Sequence, residues 1–130
     1  PGRNYGVLWA KGGAATTGYS LDNLQDRGSF FVDPGEEVYK GMIIGENNKP
    51  GDLVVNPNEG KKLTNMRASG TDGAANIAPK ILMTLEECME YIQQDECIEV
   101  TPNHIRMRKT ILDEEERKKF QKMLKAEEVG

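Results

Sequence analysis

The sequence is short of the materials that disulfide scaffolds, zinc sites, membrane spans and most enzymes are built from. It has two cysteines, Cys88 and Cys97, in 130 residues. That is too few for a disulfide framework, and they are not spaced as CxxC, so ordinary thiols of a reducing cytoplasm are expected. It has one histidine, His104, and a zinc centre needs several Cys or His ligands together; no metal ligand is assigned. Apolar runs last only a few residues, as in Met42-Ile43-Ile44 and Leu53-Val54-Val55, and mean hydropathy is -0.63. A membrane helix needs about 20 apolar residues, so no membrane partner is expected. There is no secretory signal, internal repeat or low-complexity tract.

The nucleotide and hydrolase motifs are missing as well. Gly13-Ala-Ala-Thr-Thr-Gly18 has P-loop glycine spacing, but Tyr19-Ser20 follows where Lys and Ser/Thr are required to neutralise phosphate and hold magnesium. No GxGxxG and no GxSxG occurs. The carboxylates Glu86 and Glu90 are four apart on a predicted helix, which is the pattern of a solvated face. No catalytic residue is assigned, and the chain is not expected to be an enzyme.

What is present is segregated charge. The net charge is -4, against a generic nucleic-acid binder, but Thr84 to Glu99 holds six acids (Glu86, Glu87, Glu90, Asp95, Glu96, Glu99) and no Lys or Arg. Lys61 to Thr71 holds Lys61, Lys62 and Arg67 and no acid. The length suits one domain, since domains run roughly 100–200 residues, and the first residue is Pro1, compatible with a piece of a longer polypeptide.

Strands are predicted at Gly6–Ala10, Thr16–Leu21, Ser29–Val32, Glu37–Gly45 and Leu53–Val55. Leu21–Arg27 could form a short helical turn closed by Gly28, and Gly41 marks a bulge or close backbone approach. Thr84-Leu-Glu-Glu87 is a capping box that opens a helix to about Gln93. Ile98–Thr101 and His104–Arg108 form a hairpin around Pro102-Asn103. Alternation along the second strand puts Ile105 and Met107 on one face and His104, Arg106 and Arg108 on the other. Asp113 to Lys125 is a helix with acids first and lysines later, as the macrodipole favours. Its thin apolar stripe (Phe120, Met123, Leu124) suggests weak docking or projection. The sum is a mainly β, α+β domain over 1–130. Its expected architecture is a small, partly open antiparallel β-barrel with one packed helix and a C-terminal helix in 113–130.

Asn56 to Asn76 has no period, and a structureless stretch of about 20 residues in a compact domain is usually functional or disordered. Within it, Lys61, Lys62 and Arg67 suit phosphates, Thr64, Asn65 and Ser69 suit sugar and backbone oxygens, and Gly60 and Gly70 allow close approach. Leu63 and Met66 could pack on exposed bases or anchor the segment. By chemistry alone this is either an RNA-contacting loop or an ordinary solvated one. Arg106, Arg108 and Lys109 are candidates for a second basic face, again with a purely structural alternative. His104 is a surface residue, a phosphate contact or a base.

Gly60-Lys-Lys-Leu-Thr-Asn-Met-Arg-Ala-Ser-Gly-Thr-Asp72 resembles the hallmark loop of the C-terminal domain of the BipA (TypA) family of bacterial translational GTPases. The similarity extends to Asn23-Leu-Gln-Asp-Arg-Gly28, Glu37-Val-Tyr39 with Gly41 and Ile43-Ile-Gly45, Asp52-Leu-Val-Val-Asn56, Met83-Thr-Leu-Glu-Glu87 and Glu99-Val-Thr-Pro102 through Ile105-Arg106 and Arg108-Lys109. It runs from Pro1 to about Leu112. Lys40, His104 and Asn56-Pro-Asn-Glu59 depart from the expected pattern, and none of them is in the basic loop.

The resemblance implies a domain excised from a multidomain GTPase that binds the ribosome in the cytoplasm. Its loop 60–73 would reach 23S rRNA of the large subunit and the acceptor end of A-site tRNA. It implies roles in stress-responsive translation and large-subunit assembly. GTP and magnesium would belong to the parent's N-terminal domain, leaving this chain without a cofactor and without GTP hydrolysis. Expected partners are the ribosome and the parent's other domains, with the chain itself a monomer. The alternative is a protein-interaction or structural module packing on sister domains or a ribosomal protein.

Overall fold

A computed structural model of the chain describes residues 3–60 and 77–129. The central element is a four-stranded sheet ordered β3-β5-β1-β6, from β1 (Val7–Ala10), β3 (Gly28–Phe30), β5 (Ile43–Asn47) and β6 (Leu53–Val55). β1 pairs antiparallel with β5 and parallel with β6. Every side chain of Val7-Leu-Trp-Ala10 is buried, as expected for a strand covered on both faces. Leu8 and Ala10 enter one core with Leu21, Phe30, Val32, Val38, Met42, Ile44 and Val55. Val7 and Trp9 enter a second core with Ile43, Cys88 and Met107.

Each core has its own cover. On the first side lie α1 (Gly18–Leu24), a 3-10 turn (Gln25–Arg27) and the short pair β2 (Ala14–Ala15) with β4 (Glu37–Val38). On the second side lie α2 (Leu85–Tyr91) and the hairpin β7 (Glu96–Val100) with β8 (Ile105–Lys109). α3 (Glu114–Val129) follows. The fold is the expected mainly β, α+β class, and its sheets do not close into a complete barrel.

Three local expectations change. Thr16–Leu21, expected as strand, is the entry to α1. Thr17 is its N-cap and accepts from the Ser20 backbone N–H at 3.0 Å, which lets Leu21 turn into the core. Glu37–Gly45 is two strands rather than one. Gly41 between them has φ +89°, and a Cβ there would lie 2.5 Å from Leu112 Cδ2. The glycine therefore lets the chain after β8 cross close to the sheet, where the Lys109 N–H donates to the Gly41 carbonyl at 2.8 Å. The hairpin is longer than expected, its ladder running from Glu96↔Lys109 to Val100↔Ile105. The capping box forms as read: Glu87 N–H donates to the Thr84 hydroxyl at 3.1 Å and Thr84 N–H to the Glu87 carboxylate at 2.8 Å. Among the described residues no helix is long and apolar enough to cross a membrane.

Candidate nucleic-acid interface

Lys61, Lys62, Thr64, Asn65, Arg67 and Ser69 lie outside the described residues. The described chain fixes where their segment leaves and returns. After β6, Pro57 is fully buried and its carbonyl accepts from Thr17 N–H at 2.9 Å. The Asn58 amide donates to the carbonyls of Ala14 and Ala15 at 2.9 and 3.0 Å. The Thr17 hydroxyl, already capping α1, donates to the Glu59 carbonyl at 2.6 Å. Ser20 Oγ accepts from Glu59 N–H at 2.8 Å. One turn of helix thus holds residue 59 by both backbone groups. On the return, Ile77 packs against the first core, Ala78 N–H reaches Gln25 Oε1 at 3.4 Å, and Ile81 N–H donates to the Phe30 carbonyl at 2.8 Å. Both ends of the basic segment are seated on α1 and the 3-10 turn that continues it.

The expected second basic face is only partly a face. Arg106 and Arg108 share one side of β8, with Arg106 opposite Glu99 in the ladder and Arg108 Nε 3.8 Å from the Glu99 carboxylate. Glu99 also accepts from the Tyr39 hydroxyl at 2.8 Å. Burial, then the Glu99 bond, pushes the Tyr39 phenol pKa up, while both arginines oppose this. His104 lies in the exposed turn before β8, where its N–H donates to Thr101 Oγ1 at 3.0 Å.

Lys109 does not belong to this face. It has the parity of Met107, so alternation turns it inward, and it is 0% exposed. Its ammonium lies 2.5 Å from Asp52, 3.1 Å from Asp95 and 2.8 Å from Glu96. Arg3 pairs with Glu96 at 2.5 and 2.6 Å and stacks over the Tyr91 ring. Arg117 of α3 reaches Asp95 at 2.5 Å and Asp52 at 3.1 Å and lies over the Trp9 ring. Three carboxylates meet three cations in one cluster that ties the start of the chain, β6, the hairpin and α3. The carboxylate oxygens lie close enough to one another to resemble a metal cage, but Lys109 Nζ bonds all three. Burial acts to raise the Asp95 pKa, and the bonds from Arg117 and Lys109 outweigh it and hold the carboxyl below its ordinary value. Sequence inspection missed this cluster because its members are scattered from 3 to 117. The parity of Lys109 was the one local signal.

The acidic stretch divides in two. Asp95, Glu96 and Glu99 are engaged by cations or a phenol, whereas Glu86, Glu87 and Glu90 are exposed on α2. α2 covers the second core and the basic segment is rooted on the elements covering the first. Exposed acid and basic root therefore lie on opposite sides of the central sheet.

The TypA/BipA C-terminal domain profile matches residues 5–114, nearly all of this framework. The chain belongs to the TypA/BipA C-terminal domain family. It is 50% identical over 117 residues to the large ribosomal subunit assembly factor BipA of Escherichia coli K12, covering 90% of this chain and 19% of that protein. It is 46% identical over 124 residues to the protein of the same name from Bacillus subtilis, covering 95% and 20%. The BipA relative from Buchnera aphidicola is 51% identical over 117 residues. The chain thus spans about a fifth of the length of these BipA relatives.

Proposed function

We propose that this chain is the RNA-contacting C-terminal domain of a TypA/BipA-type translational GTPase, acting on the large ribosomal subunit in the cytoplasm. Lys61, Lys62 and Arg67 neutralise phosphates of 23S rRNA and of the acceptor end of A-site tRNA. Thr64, Asn65 and Ser69 hydrogen-bond sugar and backbone oxygens. Arg106 and Arg108 add a weaker contact, tempered by Glu99, and Lys109 adds none. The observation that carries this is the acid-free run of three cations in a chain of net charge -4, flanked by chain ends seated on α1 and on the 3-10 turn that continues it. The parent's other domains bind and hydrolyse GTP with magnesium; this one supplies contact and no catalysis, in large-subunit assembly and stress-responsive translation.

Three neutralised phosphates give a salt slope of about -2 to -3 in log affinity against log salt. The isolated chain therefore binds weakly, and the parent gains from simultaneous contacts. Filter binding of the chain to naked 23S rRNA over a salt series tests this: a slope at least that steep supports it, and salt-insensitive or absent binding overturns it. One observation favours a protein-interaction module instead. Ile81, Leu82, Val100 and Ile105 are exposed, 43%, 77%, 60% and 44%, around a cleft of about 470 Å³ between the 80–83 segment and the hairpin. Such a module binds a protein surface with little salt dependence and no affinity for naked RNA.

A further inference from the structure

The profile match ends at residue 114, where α3 begins, so the helix carries chemistry that the family profile does not describe. Its charges are sorted along its length. Glu114, Glu115 and Glu116 fill the first turn, Glu127 and Glu128 the end, and residues 117–126 contain Arg117, Lys118, Lys119, Lys122 and Lys125 with no acid. At about 100° per residue, Lys118, Lys122 and Lys125 fall within about 60° of one another, with Lys119 beside them. All four lysines are exposed, the Lys118 side chain by 68%.

The opposite side of the helix is turned to the body. Arg117 fixes the first turn on Asp52, Asp95 and the Trp9 ring, and Lys40 holds Asp113 at 2.5 Å. Phe120 and Leu124 line a groove with Gln93, Thr110 and Ile111. Phe120, Met123 and Leu124 remain 42%, 53% and 44% exposed, on the side of the helix opposite the lysines. An interfacial membrane helix inserts such a face among acyl chains, whereas here Arg117 pins the first turn to the body and Phe120 and Leu124 line the groove on it. A row of ammonium groups spaced by single helical turns, on a helix anchored at one end, suits a row of phosphates. Among the described residues Glu114 is the one acid paired to the row, 3.4 Å from Lys118 on the surface, where a phosphate can displace it. β6 also separates the two basic features: Asp52, just before it, receives Arg117, and Pro57–Glu59, past its end, lead into the basic segment.

We infer that the lysine row Lys118, Lys122 and Lys125 of α3 is a second, independent RNA-phosphate contact, at the other end of β6 from the basic segment. This rests on the RNA-contacting function proposed above. Its ligand is the sugar–phosphate backbone of ribosomal RNA, bound without base selectivity because lysine ammonium groups recognise charge.

The test compares four forms of the full chain in filter binding to 23S rRNA across a salt series: wild type, K118A/K122A/K125A, K118R/K122R/K125R and K61A/K62A/R67A. Alanine is the best helix former, so the first variant keeps α3, and circular dichroism checks it. The expected result is binding weakened about tenfold or more at 0.1 M salt, a slope shallower by about 2 to 3, and restoration in the arginine variant. Wild-type affinity and slope in the alanine variant, with binding lost in K61A/K62A/R67A, overturn the α3 contact and leave the basic segment standing. No RNA binding by the wild type overturns both. Vesicles of equal parts phosphatidylglycerol and phosphatidylcholine are the control. Lysine-dependent capture on them, with RNA binding unchanged, overturns the inference in favour of a membrane surface.

Discussion

The Lys109 ammonium has no solvent contact, and three carboxylates surround it. Removing one partner of such a cluster leaves the others buried and uncompensated, which costs about 3–5 kcal/mol. Lys109→Met should therefore lower unfolding free energy by that amount in urea titrations; a loss under about 1 kcal/mol would show that the cluster relaxes. Asp95 gives the same cluster a pH signature. Its native pKa is depressed, so its contribution is fully present above the unfolded value near 4 and is lost as pH falls through the lower native value. Melting temperature should drop from about pH 5 downward, and Asp95→Asn should flatten that dependence while lowering stability at neutral pH. An unchanged acid limb in the variant would reassign the effect to other carboxylates; Asp113, held down chiefly by the Lys40 bond, is the next in line.

At the level of elements, α2 was legible because its start signal is local: Thr84 and Glu87 satisfy each other's backbone within one turn. The β7–β8 hairpin was legible from alternation around Pro102-Asn103. α1 was not, since Thr16-Thr17-Gly-Tyr-Ser-Leu21 has the β-branched and aromatic content of a strand. What decides it is the Thr17 cap and the burial of Leu21 against residues from five other segments. The split of Glu37–Gly45 depends on Leu112, far away in sequence. For the site, the charge of the basic segment could be read directly, but its root could not, because Thr17 and Ser20 meet Glu59 across about forty residues. That root makes a prediction of its own. Thr17→Ala removes a helix cap worth about 1 kcal/mol and frees the Glu59 carbonyl. Urea stability should fall by about that amount, and affinity for 23S rRNA should fall several-fold as the segment loses its fixed exit. Unchanged RNA affinity with reduced stability would mean that the root does not position the segment.

For the whole molecule, the four-stranded sheet separates two surfaces of different character. The basic segment departs from the α1 side, and the exposed carboxylates of Glu86, Glu87 and Glu90 lie on α2 on the other. A chain of net charge -4 can then approach RNA in one orientation and be repelled in the reverse one. The direct measurement is cosedimentation of the chain with large ribosomal subunits, comparing wild type with K61A/K62A/R67A at matched salt. Weakened binding in the variant, with its melting temperature unchanged, is the predicted result. Undiminished cosedimentation would contradict the claim that this segment makes the contact.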